Sequence, residues 1–128
     1  EVHIATDLLS SQYISLCTLK RDGTWVPTPV WFAVDDSNNI LVFSAGNAGK
    51  VKRLRNFPQV TIAGCTATGK PLEAPCNGKG EVLETPQAIA NAHSALVSRY
   101  GIKMKLLDIG AKLGGKYNRR AYIQITLD

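Results

Sequence analysis

The stretch of this chain richest in chemistry runs from Leu41 to Arg55. A short apolar run, Leu41-Val42-Phe43-Ser44, leads into a loop of small residues, Ala45-Gly46-Asn47-Ala48-Gly49, and then a basic segment, Lys50-Val51-Lys52-Arg53-Leu54-Arg55. A helix that opens directly after a strand turns its unpaired N–H groups, and the positive end of its dipole, toward whatever lies over the loop. Phosphate suits such a seat. Cations in a first helical turn oppose that dipole at a cost of roughly 0.3–1 kcal/mol each, yet four of them, Lys50, Lys52, Arg53 and Arg55, stand in the opening turns. A locally costly charge run set against a glycine loop points to a functional site. On a helical wheel Val51, Leu54 and Phe57 share one face, Lys50 and Arg53 border it, and Lys52 falls on the far side. Lys50 and Arg53 are therefore the expected ligands of an anion, and Lys52 is expected in solvent.

The loop is not a nucleoside-triphosphate P-loop. That motif places a glycine four intervening residues before its Gly-Lys pair and a Ser or Thr after the lysine to hold magnesium; here Ser44 and Val51 stand at those places. A phosphate monoester or diester on a cofactor fits the pattern better than a triphosphate being hydrolysed.

The elements that must position this site belong to one domain, residues 1–128, long enough to bury a core and short of a Rossmann or TIM architecture. Fifteen Lys and Arg against ten Asp and Glu give a net charge of +5. With modest aromatic content and no nucleic-acid motif, that charge reads as serving a polyanionic small molecule rather than nucleic acid. No apolar run approaches the roughly 20 residues that cross a bilayer, so no membrane partner is expected. Cys17, Cys65 and Cys76 are odd in number and lack metal-ligand spacing, which suits a reducing, cytoplasmic setting with each as a small buried residue. Neither His3 nor His93 supports a metal site.

Tyr13 to Leu19 alternates apolar residues and runs into Asp22-Gly23, a hairpin signal, so strand one pairs with strand two. Strand two, Thr24 to Val34, carries Pro27 and Pro29, whose missing N–H groups fall on one edge; that edge cannot be ladder-paired throughout and is free to face a ligand, with Thr28, Val30 and Trp31 presented to a flat ring. The turn Asp35-Asp36-Ser37-Asn38-Asn39 leads to strand three, Ile40 to Ser44. The basic helix ends near Asn56 because Pro58 disfavours helical geometry at Phe57. Strand four starts near Val60, with Gly64 marking a bulge or close approach; Thr68-Gly69-Lys70-Pro71 turns the chain; strand five spans about Asn77 to Glu84, flexed by Gly78 and Gly80. Thr85-Pro86 opens a helix that Gly101 ends, with Ile89, Ala92, Leu96, Val97 and Tyr100 on its apolar stripe and His93 packed among them. A further helix, Ile102 to Leu113, is expected to turn Ile102, Leu106, Ile109 and Leu113 inward and to stop at Gly114-Gly115. The last strand, Ala121 to Leu127, closes the set. Six mostly antiparallel strands with these helices predict an α+β fold, mainly β, built on a small closed barrel.

The segments Tyr13-Ile14-Ser15-Leu16-Cys17-Thr18, Thr28-Pro29-Val30-Trp31-Phe32, Leu41-Val42-Phe43-Ser44 and Gly49-Lys50-Val51-Lys52-Arg53-Leu54-Arg55, with Gly23, together resemble the pyridoxamine phosphate oxidase-like split β-barrel family. Within it, the chain is most similar to the branch of deazaflavin-dependent reductases. The likeness covers most of the chain and is clearest from Tyr13 to Thr66. It implies a six-stranded, FMN-binding-like split barrel forming a homodimer, with coenzyme F420, or alternatively FMN, in a cleft between subunits. It also implies that Thr28, Pro29, Val30 and Trp31 line the ring, with backbone against its edge, and that Ser44, Gly49, Lys50 and Arg53 hold the phosphate. FMN oxidases of the family carry an arginine where this chain has Thr28, which turns the comparison toward F420. The polyglutamate tail of F420 would then meet Lys52, Arg55 and the segment from Lys116 to Arg120.

The function so implied is hydride transfer from reduced deazaflavin to a small organic acceptor. The cofactor would carry the chemistry, so no catalytic residue is assigned; Tyr100, Tyr117 and Tyr122 are candidate proton donors. Two other classes share these features: a flavin, deazaflavin or tetrapyrrole carrier without turnover, and a nucleic-acid-binding barrel using Trp25 and Trp31 as exposed aromatics.

Overall fold

The computed structural model describes residues 13–35, 37–46, 48–66, 68–70, 75–114 and 120–128. His3, Asp36, Asn47, Pro71, Gly115, Lys116, Tyr117 and Arg119 lie outside the described residues. Six strands, β1 (Tyr13–Leu19), β2 (Trp25–Val34), β3 (Ile40–Ala45), β4 (Gln59–Cys65), β5 (Cys76–Val82) and β6 (Arg120–Leu127), form a closed antiparallel barrel in the order β1-β2-β3-β6-β5-β4. Among the described residues three helices accompany them, α1 (Gly49–Asn56), α2 (Pro86–Tyr100) and α3 (Ile102–Leu113).

Local chemistry sets most of the boundaries. Gly23, at φ +89°, takes the left-handed position of the β1–β2 turn, and the Asp22 carboxylate accepts the Thr24 N–H at 2.9 Å. Thr85 caps α2 by accepting the Ala88 N–H at 3.2 Å, Pro86 follows in the first turn, and Gly101 at φ +58° ends the helix. Phe57, ahead of Pro58, is already extended.

Alternation along the strands separates two cores. Ile14, Leu16, Val30, Phe32, Ile40, Val42, Val60, Ile62, Ile123 and Ile125 fill the barrel, and α1 closes it from one end with Val51 and Leu54. Each such side chain contributes about 1.5–3 kcal/mol through removal from water. Gly80 and Gly78 serve close approach rather than flexing of β5: a Cβ on Gly80 would lie 2.9 Å from Leu54 Cδ2, and one on Gly78 would lie 2.8 Å from the Thr126 carbonyl. Gly64 pairs with Ile14 within an unbroken register and forms no bulge. The second core lies outside the barrel, where Ala92 and Leu96 of α2 and Met104 of α3 pack on Ala33, Leu41, Leu83 and Tyr122.

The orientation of α3 reverses the expectation. Met104 and Asp108 are its buried residues, whereas Ile102, Leu106, Ile109 and Leu113 are 72%, 62%, 56% and 85% exposed. The stripe that helical periodicity assigns to the core points away from it. The helix is docked through Met104 in the second core and through Asp108, which bridges α2 and β6.

Candidate anion and cofactor site

The basic helix lacks the features that ordinarily satisfy a helix start. Its N-cap is Ala48, which has no side chain to cap the helix, and no acidic residue stands in the first turn. Lys50 and Arg53 are half-buried on the border of the buried Val51–Leu54 face, and Lys52 is exposed. The Arg53 guanidinium folds back over the helix start, so that a Cβ on Gly49 would lie 2.7 Å from its Nη1. Its Nε donates to the Thr18 hydroxyl oxygen at 2.6 Å. Burial, and then the charge of Arg53, push the Lys50 ammonium below the ordinary lysine range. Among the described residues no carboxylate lies within ion-pair reach of Lys50 or Arg53. The Val51 and Lys52 N–H groups donate to the Ala48 carbonyl; two neighbouring half-buried cations beside the Gly49 and Lys50 N–H groups form a donor set that fits a phosphate.

Strand register places this seat at a gap in the barrel wall. Strand β2 is laddered to β1 from Trp25 to Trp31, but to β3 only through Phe32, Ala33 and Val34. Beyond Val42, β3 follows β6 as far as Ala45. Pro27 and Pro29 stand within the intact β1–β2 ladder and cannot donate to it, so their nitrogens point to the other edge, where pairing with β3 has ceased. Extending the Phe32↔Val42 register would set Ser44 opposite Val30, so the gap opens where Ser44 leads toward α1. Leu16 opposes Thr28 and Thr18 opposes Val26 on the barrel's inner side, which puts Thr18, the acceptor for Arg53, diagonal to Thr28, roughly 7 Å away. The start of α1 and the open β2 edge thus meet at one end of the barrel.

The side chains of β2 do not all turn to that gap. Thr28 is half-buried on the inner side and Pro29 is exposed. Val30 belongs to the barrel core at 8% exposure, leaving its backbone alone for a ligand. Trp31 lies on the outer side, stacked on Tyr100 with ring centroids 4.5 Å apart and planes 17° apart. Period-2 alternation sends it to the helix-covered face, where it is half-buried rather than an exposed aromatic platform. Ser44 is buried, its hydroxyl donating to the Ala45 carbonyl at 3.2 Å.

Three other expectations change. Arg120 is withdrawn from any tail-binding surface: its side chain is 8% exposed, ion-paired to Asp108 at 2.6 Å and set over the Phe43 ring at 4.8 Å. Tyr100 uses its hydroxyl to accept the Phe32 N–H, and Tyr122 is buried against α2. Cys65 is buried as expected, but Cys76 is exposed and Cys17 is half-buried. His93 is half-buried and hydrogen-bonds Asp108 at 2.8 Å. Sequence reasoning missed Thr18. Its signal was a hydroxyl in the inward row Ile14, Leu16, Thr18, where an aliphatic residue is expected.

The sequence profile of pyridoxamine 5'-phosphate oxidase matches residues 3–127. This chain belongs to the pyridoxamine 5'-phosphate oxidase family. No curated protein matches it. Among solved structures, it is similar to a conserved hypothetical protein of Mycobacterium tuberculosis, at 22% identity over 98% of this chain and 82% of that one, with a TM-score of 0.68. It is similar to an F420 reductase at 17% identity, covering 100% of this chain and 96% of the other, with a TM-score of 0.62. It is also similar to a heme storage protein of Vibrio cholerae at 12% identity, covering 94% and 84%, with a TM-score of 0.71. At these identities the likeness is one of fold. No helix among the described residues is long and apolar enough to cross a membrane.

Proposed function

We propose that this member of the pyridoxamine 5'-phosphate oxidase family is an oxidoreductase that binds coenzyme F420, or alternatively FMN, and serves hydride transfer from the reduced ring to a small organic acceptor. The observation that carries the reading is the pair Lys50 and Arg53, half-buried and, among the described residues, without a carboxylate, at the start of α1, whose N-cap Ala48 supplies no side-chain cap. Two such cations side by side are costly unless an anion joins them.

In this reading Lys50, Arg53, the N–H groups of Gly49 and Lys50 and the adjoining Ser44 hold the phosphate, the Val51 and Lys52 N–H groups being taken by the Ala48 carbonyl. Thr28, Pro29 and the backbone of Val30 and Trp31 border the ring along the edge that β3 leaves unpaired. A second copy of the chain covers the ring from the other side. The bound ring supplies the hydride chemistry, and the chain supplies binding, orientation and exclusion of water. Thr28 in place of a phosphate-gripping arginine, and similarity to an F420 reductase, favour the deazaflavin.

Titration calorimetry with F420 and with FMN tests the reading: saturable binding of one ring is expected, and binding of neither would overturn it. Loss of the reduced-cofactor absorbance on adding candidate acceptors then separates a reductase from a protein that carries a ring without turnover.

A further inference from the structure

We propose that Thr18 is a positioning residue of the anion seat, holding the Arg53 guanidinium over Gly49 so that its outer nitrogens are aimed before any ligand arrives. The inference rests on the phosphate reading above and goes beyond it, because Thr18 itself need not touch the ligand.

Thr18 is fully buried in the barrel wall, in line with Ile14 and Leu16. A valine would fill the same space, so the hydroxyl is there for a polar contact; a buried hydroxyl is costly without one. The contact it makes is with Arg53, whose Nε donates to it at 2.6 Å. Among the described residues this is the hydrogen bond of the Arg53 side chain. An arginine on a short helix loses much rotamer freedom when it binds an anion, and fixing its fork beforehand removes that loss from the binding step. Because Nε is taken by Thr18, the two Nη nitrogens are left toward the helix start, with Nη1 in the space a Gly49 side chain would fill. Thr18, Arg53 and Gly49 therefore act as one device: anchor, donor and clearance.

The experiment compares wild type, Thr18→Val, Thr18→Ser and Arg53→Ala, with Thr18→Val also made in the Arg53→Ala background, by calorimetric titration with inorganic phosphate and with FMN. Thr18→Val is expected to weaken phosphate binding about tenfold, Thr18→Ser to restore it to within about twofold, and Thr18→Val to have no further effect once Arg53 is alanine. Gly49→Ala, which leaves the barrel wall untouched and pushes Nη1 from its place, is expected to give a similar loss and serves if Thr18→Val folds poorly. Wild-type affinity in both Thr18→Val and Gly49→Ala would overturn the inference alone, as would an equal loss from Thr18→Val with and without Arg53. Failure of the wild-type protein to bind phosphate, FMN or F420 would instead overturn the functional reading, and this inference with it.

Discussion

The Tyr100 hydroxyl accepts the backbone N–H of Phe32 at 2.9 Å, so the last residue of α2 supplies β2 with an acceptor 68 positions away in sequence. With the Trp31–Tyr100 stack, this contact ties the helix layer to the strand that borders the proposed ring. Replacing Tyr100 by Phe keeps the stack and leaves a partly buried N–H without its acceptor. A loss of about 1 kcal/mol in urea unfolding is expected, and an unchanged midpoint would show that water replaces the hydroxyl fully.

Lys50→Ala is expected to weaken binding of phosphate-bearing ligands by about 1.5–3 kcal/mol, the scale of a charge-assisted hydrogen bond. Folding stability should not fall with it. Burial and Arg53 both disfavour the charged lysine in the unliganded protein. Calorimetry with F420 or FMN, run beside a denaturation curve, reads both quantities, and parallel losses would mark Lys50 as structural.

The same residue sets an alkaline pH dependence. Because the folded pKa of Lys50 lies below the 10.5 of an ordinary lysine, the unfolded chain binds more protons between those two values. Stability contributed by this group therefore rises with pH across that window, while phosphate affinity falls as the ammonium is lost. Affinity measured from neutral pH up to about 10.5 should decline in wild type and be flatter in Lys50→Ala.

At the other end of the scale, Asp108 anchors α3. Burial alone would raise its pKa, but hydrogen bonds from Arg120 and His93, together with their charges, hold it below the usual 3.8. A depressed carboxylate contributes stability that is present above 3.8 and lost as pH falls through the lower folded value. Asp108→Ala leaves Arg120, whose side chain is 8% exposed, without its carboxylate. The expected cost is about 3 kcal/mol, read by thermal or urea unfolding, with loss of the acid-sensitive limb. A cost below about 1 kcal/mol would mean that α3 is held by Met104 and its neighbours instead.

The amphipathic face of α3 shows where pattern reasoning stops. Periodicity placed Ile102, Leu106, Ile109 and Leu113 on one stripe, which the helix keeps, but the buried side belongs to Met104 and Asp108. A stripe states which residues travel together; it does not state which side meets the barrel. The same limit applies to β2, where alternation was visible while the assignment of Val30 to the core and Trp31 to Tyr100 depended on the closed barrel and on α2.

By itself the amino-acid order determined the local elements: the Asp22-Gly23 hairpin, the Thr85-Pro86 start and Gly101 end of α2, the termination of α1 before Pro58, and the Lys50–Arg53 border of its buried face. These follow from turn, cap and period rules that act within a few residues. The tertiary structure decided the rotation of α3, the split between β2 and β3, and the bond from Arg53 to Thr18 across 35 residues. Those features arise when distant segments compete to satisfy the same buried groups, and no local preference specifies which one succeeds.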